Sequence, residues 1–252
     1  MDTAKDTVLI TGGGTGLGRG LAEALHARGA KVIIAGRRAD VLKKVAEANP
    51  GMAWYTLDVA DPADITAFAA KLTAEHPDLN AVVSNAGIMK AEDLSSGTFD
   101  MAKMQEIVDI NWWGTVRLAD ALLPHLLTRP KATFVTVSSG LAFVPLAFTP
   151  TYSATKAAIH SWTQSLRHQL RDSSVKVVEW APPGVATDLM PGHAEDPASM
   201  PLDEFIGESV GLFEAGHDEV LVERVGFLRN AEARGDYAKT FGIVNSHHRP
   251  LD

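Results

Sequence analysis

Short, continuously apolar runs alternate along this chain with longer stretches in which apolar residues recur every three or four positions. Val8-Leu9-Ile10 and Val32-Ile33-Ile34 are apolar at successive positions, as in strands covered on both faces, whereas Asp40 to Ala48 and Pro62 to Glu75 each carry an amphipathic stripe. The pattern predicts strands at Thr7 to Thr11, Lys31 to Ala35, Met52 to Leu57, Ala81 to Ser84, Thr133 to Ser138, Val175 to Trp180 and Glu219 to Val222. Between most of them it predicts helices at Gly18 to Arg28, Asp40 to Ala48, Pro62 to Glu75, Phe99 to Thr128 and Ser153 to Asp172. Such alternation implies parallel strands joined by right-handed crossovers. The expected fold is α/β: a doubly wound, mostly parallel seven-stranded sheet with helices on both faces and a ligand crevice beyond the carboxyl ends of the strands. After Asp188 the rhythm breaks. Asp188 to Met200 is rich in Pro, Gly and Met, and Leu202 to Ala215 looks helical. An irregular insertion of this length reads as a binding loop or lid over 188–215, with Met190, Met200, Leu202 and Phe205 giving it an apolar character.

Composition narrows the picture. With 252 residues and 46% hydrophobic content the chain can bury a sizeable core, and no compositional shift or linker divides it, so 1–252 reads as one domain. A net charge of -8 argues against nucleic acid or an anionic membrane as partner, since both require a basic face. The absence of cysteine excludes a disulfide, a thiolate metal site and a cysteine nucleophile, and is compatible with the cytoplasm. Met1 to Asp6 has no basic stretch leading into an apolar one, and no apolar run approaches the roughly 18 residues of a membrane span. The nine histidines, His247-His248 among them, show no metal-ligand spacing, so they read as surface and no metal is expected.

Two local patterns carry chemistry. Thr11-Gly-Gly-Gly-Thr-Gly-Leu-Gly18 follows the first strand and opens the first helix. Glycine lets backbone approach a pyrophosphate closely, and a helix N-terminus offers free N–H groups and a positive dipole end. The spacing is T-G-x-x-x-G-x-G rather than G-x-G-x-x-G. Further on, Tyr152 precedes Lys156 by four residues and follows Ser139 by thirteen. One helical turn puts phenol and ammonium on the same face. An unperturbed phenol, with a pKa of about 10, is a poor base at neutral pH, and a neighbouring cation lowers that value. Tyr152 then becomes a usable proton donor and acceptor.

Taken with Asn85-Ala-Gly87 after the fourth strand and with Asn111, these motifs resemble the short-chain dehydrogenase/reductase family, in its single-domain branch, from Thr7 to about Asp188. The resemblance implies Tyr152 as acid or base, with Lys156 lowering its pKa and holding the nicotinamide ribose. It implies Ser139 as hydrogen-bond donor to the substrate oxygen and Asn111 as anchor of a water linking Lys156 to solvent. Ser138 is also a hydroxyl, but the thirteen-residue spacing favours Ser139. The cofactor contacts it implies are Gly12, Thr15, Gly16, Leu17 and Gly18 at the turn, Arg37 and Arg38 after the second strand, and Asp58 and Val59 after the third. Asn85, Ala86 and Gly87, the Tyr152-Lys156 pair, Pro182, Val185 and Thr187 complete the set. Asp58 can accept from the adenine amino group or cap the following helix. Ala35-Gly36-Arg37-Arg38 has no acid for a ribose 2'-hydroxyl, and two guanidiniums suit the 2'-phosphate of NADP(H). Against this, Thr15 stands where NADP-preferring relatives often carry a basic residue, and an arginine pair can be plain surface.

The family pattern P-G-x-V-x-T appears here as Pro182-Pro-Gly-Val-Ala-Thr187, so Pro183 replaces the glycine and a backbone donor is lost. Trp112-Trp113 places one ring inward and the other at a subunit interface, and the resemblance implies a homodimer or homotetramer. The expected activity is an NADP(H)-dependent carbonyl reductase or alcohol dehydrogenase acting on a small to medium substrate. The alternatives are a catalytically silent dinucleotide sensor or scaffold and a nucleotide-sugar epimerase or dehydratase.

Overall fold

The computed structural model describes residues 1–192 and 194–246; His247-His248 therefore lies outside the described residues. Its strands are β1 (Thr7–Thr11), β2 (Lys31–Gly36), β3 (Ala53–Thr56), β4 (Ala81–Ser84), β5 (Ala132–Val137), β6 (Val175–Trp180) and β7 (Glu219–Val220). They form one sheet in the order β3-β2-β1-β4-β5-β6-β7, every neighbouring pair parallel. The strand order reverses between β1 and β4, and a crevice opens there.

Helices α1 (Gly16–Ala27), α2 (Ala39–Ala48) and α7 (Leu202–Ala215) cover one face, where Leu21, Leu25, Leu42, Phe205 and Phe213 meet Val8, Ile10 and Ile34. Helices α3 (Pro62–Glu75), α5 (Gly114–Leu126) and α6 (Pro150–Gln169) cover the other, with Phe68, Leu72, Leu118 and Leu122 against Leu9, Ile33 and Phe134. Because side chains alternate along a strand, both faces must be apolar, which is why these strands read as unbroken hydrophobic runs.

Several boundaries differ from expectation, each for a physical reason. The helix predicted over Phe99 to Thr128 is α4 (Met101–Val108) and α5, joined by a wider π-turn at Asp109–Trp113. A π-turn adds a residue to the helical cycle without ending it, so periodicity alone does not reveal it. Helix α6 begins at Pro150, three residues before the predicted Ser153, since a proline suits the first helical position. Tyr152 consequently sits in its first turn. Asp61, not Asp58, caps α3, accepting from Ala63 N at 2.8 Å and Asp64 N at 3.4 Å.

The segment expected as a lid divides in two. Helix α7 is core: Phe205 stacks on Trp180 with ring centroids 5.3 Å apart, and the Trp180 indole donates to Ser209 Oγ at 3.0 Å. Met200 and Phe205 are therefore buried structural residues rather than lid surface. Ala186 N donates to Met200 O at 2.9 Å and Met200 N to Gly184 O at 2.8 Å, pinning the base of the 188–199 loop. Among the described residues, three helices follow β7 that periodicity did not predict: α8 (Gly226–Arg229), α9 (Ala231–Arg234) and α10 (Tyr237–Asn245). The first two have four residues each, too short for any repeat to register.

Candidate active site

At the carboxyl ends of β1, β2, β4 and β5 lies a cavity of about 480 Å³. The glycine turn forms its floor. Gly12 (φ 68°) and Gly16 (φ 53°) both occupy the left-handed region, which glycine adopts without a Cβ penalty. Asn85 latches the turn: its Nδ2 donates to Thr11 O at 2.9 Å, while Asn85 N and Ala86 N donate to Thr11 Oγ1 at 3.0 and 3.1 Å. The N-terminus of α1 opens onto the cavity, and Thr15, its N-cap, makes no side-chain cap bond. The first-turn N–H groups thus face a space that suits a pyrophosphate.

Arg37 and Arg38 leave β2 at the same rim, and Arg38 Nη2 donates to Thr15 Oγ1 at 3.2 Å. Thr15, which from sequence counted against a 2'-phosphate, here steadies a guanidinium beside the turn. Asp58 and Val59 also line the cavity; Asp58 Oδ1 accepts from Ala60 N at 3.0 Å. Ala86, Gly87, Pro182, Val185 and Thr187 line it as well.

Opposite the turn stand Ser139, Tyr152 and Lys156, all buried and all lining the same cavity. Lys156 Nζ donates to Val137 O at 2.8 Å and sits 5.5 Å from the centroid of the Tyr152 ring. Ser139 Oγ accepts from Leu141 N at 3.1 Å. Ser138, just past β5, also lines the cavity, but its hydroxyl donates to buried Glu179. That commitment separates the two serines and leaves Ser139 facing the cleft. Asn111, on the π-turn, binds both backbone groups of Ile88: its Oδ1 accepts from Ile88 N and its Nδ2 donates to Ile88 O, each at 2.9 Å. Its Nδ2 also reaches Thr155 Oγ1 at 3.3 Å.

Burial pushes the Tyr152 phenol up to about 12, against a smaller downward pull from Ser139. Burial likewise pushes Lys156 down to about 8. Among the chain's own groups, desolvation therefore outweighs the cationic effect on the phenol expected from sequence. Stability should respond in a definite sense. The cost of burying the Lys156 cation is full below about pH 8 and is relieved as pH rises toward the unfolded value of 10.5. Tyr152 acts oppositely above about pH 10, where only the unfolded phenol ionises. Melting without added cofactor should thus shift upward between pH 8 and 10, and Lys156→Met should flatten that rise; an undiminished slope in the variant would assign it to other groups.

Some residues at the site had no sequence signal. Met89, Lys90 and Leu189 line the mouth. Buried Glu92 caps α6 from a distant loop, accepting from Thr151 N at 3.0 Å and Thr151 Oγ1 at 2.6 Å, one residue before Tyr152. His160, read from sequence as surface, is half-buried, with its Nδ1 2.8 Å from Glu179 Oε2. His160, Glu179 and Glu219 present possible ligand atoms within 4.8 Å of one another. Glu219 is paired with Arg229 at 3.0 Å, however, and Glu179 with Ser138, so these donors are already engaged by protein.

A hydroxyl, a phenol and an ammonium beside a dinucleotide-type cradle define an oxidoreductase class. The short chain dehydrogenase family model matches residues 6–198. An uncharacterized oxidoreductase, DltE, from Bacillus subtilis is 39% identical over 98% of this chain and 99% of its own length. A mouse dehydrogenase/reductase, SDR family member 7B, is 30% identical over 72% of this chain and 58% of its own. Among solved structures, a short chain dehydrogenase from Burkholderia cenocepacia in complex with NADP superposes with a TM-score of 0.83 at 23% identity, over 95% of this chain and 99% of that one. The chain belongs to the short-chain dehydrogenase/reductase family and is an NAD(P)-dependent dehydrogenase/reductase. Among the described residues no helix is long and apolar enough to cross a membrane.

Proposed function

We propose that the protein is an NADP(H)-dependent carbonyl reductase or alcohol dehydrogenase acting on small to medium ketones and alcohols. The observation that carries this is the convergence of Ser139, Tyr152 and Lys156 on one cavity with the glycine turn and Arg37-Arg38. The turn is packed on backbone and has room only for glycine: a Cβ on Gly18 would lie 2.5 Å from Gly12 O, and one on Gly12 would lie 3.1 Å from Ala86 Cα. When bound, the nicotinamide supplies or accepts the hydride. Gly12, Thr15, Gly16, Leu17 and Gly18 would hold the pyrophosphate, Asp58 and Val59 the adenine side, and Asn85, Ala86 and Gly87 the adjoining ribose. Pro182, Val185 and Thr187 would flank the nicotinamide end.

Ser139 donates to the substrate oxygen, and Tyr152 delivers a proton to that oxygen in reduction or removes one in oxidation. A phenol raised to about 12 is protonated at neutral pH, the form that reduction consumes. Lys156 would hold the ribose hydroxyls. Asn111 is read as the anchor of a water linking Lys156 to solvent; its carboxamide is held by Ile88 and its main-chain carbonyl accepts from Thr115 Oγ1 at 3.1 Å. Asp188 and Leu189 line the cavity where the substrate would enter. A silent dinucleotide sensor would gain nothing from burying an ammonium beside a phenol, which costs stability.

The NADP(H) preference rests on Arg38 and Arg37. NADP was present in the Burkholderia cenocepacia protein, whereas a short chain dehydrogenase/reductase from Burkholderia phymatum was solved with NAD, so the NADP(H) reading is carried by the arginines alone. Arg38→Ala should raise KM for NADPH about 10- to 100-fold, as loss of a charge-assisted pair to a phosphate does, and leave KM for NADH nearly unchanged. The test is cofactor oxidation against a ketone and aldehyde panel. Equal losses with both cofactors would remove the 2'-phosphate reading. We also read the protein as a cytoplasmic homo-oligomer. Trp112 packs on Trp162 of α6 with centroids 6.1 Å apart, while Trp113 remains exposed under the Arg117 guanidinium, a surface that suits a subunit contact.

A further inference from the structure

Behind the catalytic wall runs a polar network that the hydride-transfer chemistry does not use. Glu179, on β6, is completely buried. Its carboxylate accepts from Ser138 Oγ and faces His160 Nδ1, which lies 3.0 Å from Oε1 and 2.8 Å from Oε2. His160 Nε2 lies 2.7 Å from Gln164 Nε2, one turn along α6. With the Gln164 amide donating, the imidazole proton sits on Nδ1 and points at Glu179. Tyr152, Lys156 and His160 are spaced four residues apart, so the cleft-facing stripe of α6 continues into this network.

The network reaches outward as well. Phe143, just past the short turn of Gly140–Ala142, meets His160 edge-on at 4.9 Å and lies beneath the Arg229 guanidinium at 5.0 Å. Arg229 in turn pairs with Glu219 at 3.0 Å. A carboxylate buried in the sheet costs several kcal/mol unless its lone pairs are filled, so it holds its donors firmly. Ser138 is one of those donors, and it is covalently adjacent to Ser139. Both residues follow the end of β5, with Ser139 extended at φ -171° and ψ 159°, so holding the Ser138 side chain holds the backbone that carries the Ser139 side chain.

We propose that Glu179 and His160 are positioning residues for Ser139: Ser138 is the tether through which they aim the Ser139 hydroxyl into the cleft. This rests on the reading of Ser139 as donor to the substrate oxygen. Nothing in the network touches the cavity except through Ser138 and Ser139. Glu179, His160 and Gln164 are not among the cavity-lining residues. Their effect must therefore appear in turnover rather than in binding.

The test is a double-mutant cycle in the full chain. Ser138→Ala and Glu179→Gln should each lower kcat about tenfold, the worth of one well-placed hydrogen bond, with KM and the dissociation constant for NADPH unchanged. Ser138→Thr, which keeps the hydroxyl, should restore most of the rate. In a Ser139→Ala background both substitutions should lose their effect, because residues that act through one group are non-additive. A merely structural role would multiply with Ser139→Ala, and that result would overturn the proposal, as would an unchanged kcat in both single variants. Hydrogen exchange gives a readout that needs no substrate. The Leu141 amide, bonded to Ser139 Oγ at 3.1 Å, should exchange faster in Ser138→Ala and Glu179→Gln but not in Ser138→Thr. Unaltered exchange would sink the tether even if the wild-type protein turned over no carbonyl, a result that would instead count against the reductase reading. Should Glu179→Gln fail to fold, the Ser138 pair decides the question alone.

Discussion

Tyr152→Phe is expected to lower kcat by about 10²- to 10⁴-fold, the range a positioned acid-base group contributes, while cofactor affinity changes little. The substitution removes one oxygen and keeps the ring. That ring is buried, and Lys156 Nζ lies 5.5 Å from its centroid, a contact that phenylalanine preserves. Helix α6 should be unaffected, because its first turn is held by Glu92 through Thr151 and not by the phenol. The loss must then lie in the proton step. A melt within a degree or two of wild type and an unchanged NADPH dissociation constant would isolate that step. Unchanged turnover would remove Tyr152 as proton carrier and leave Ser139 or solvent in its place.

Burial raises the phenol, so among the chain's own groups Tyr152 stands protonated at neutral pH. Lys156 spends its nearest hydrogen bond on Val137 O, so within the chain it steadies the strand end more than it stabilises phenolate. Four-residue spacing correctly puts the two groups together, but it carries no information about desolvation, which depends on what covers them. Sequence reasoning therefore finds the pair but not the burial that, among the chain's own groups, raises the phenol.

The same division holds elsewhere. Continuous apolar strands and striped helices were enough to predict the parallel seven-stranded sheet, because both sheet faces must be covered and that requirement is written in consecutive residues. The glycine turn was legible because left-handed backbone and close approach leave glycine few substitutes. The network of Ser138, Glu179 and His160 was not legible: its members lie just past β5, on β6 and on α6, and meet only after the sheet is assembled. An acid inside an apolar strand, Val177-Val178-Glu179-Trp180, was the available hint, since a charge in a doubly covered strand demands a partner. Likewise Phe205 and Met200 were read as lid because their segment follows an irregular loop. The stacking of Phe205 on Trp180 is a tertiary fact that no window along the chain contains.

Gly18→Ala should abolish measurable cofactor binding and lower the melting temperature. An added Cβ would lie 2.5 Å from Gly12 O and 2.9 Å from Gly12 C, both backbone, and 2.5 Å from Asn85 Nδ2. None of these is the free end of a flexible chain: the Gly12 carbonyl belongs to the turn itself, and Asn85 Nδ2 is bonded to Thr11 O. Helix α1 would have to lift from the turn, moving its first N–H groups away from where a pyrophosphate would sit. Overpacking of this kind costs about 1–3 kcal/mol in stability. Binding should suffer more, because a displacement of an ångström breaks several backbone hydrogen bonds to the ligand at once. Gly207→Ala is the matching control: it lies in α7 with nothing within 4 Å of the added atom, so replacing a helical glycine there should stabilise by up to about 1 kcal/mol. Calorimetric titration with NADPH and paired thermal melts would read both. If Gly18→Ala bound NADPH as the wild type does, the turn could not be the pyrophosphate cradle, and the cofactor would have to be sought elsewhere on the rim of the sheet.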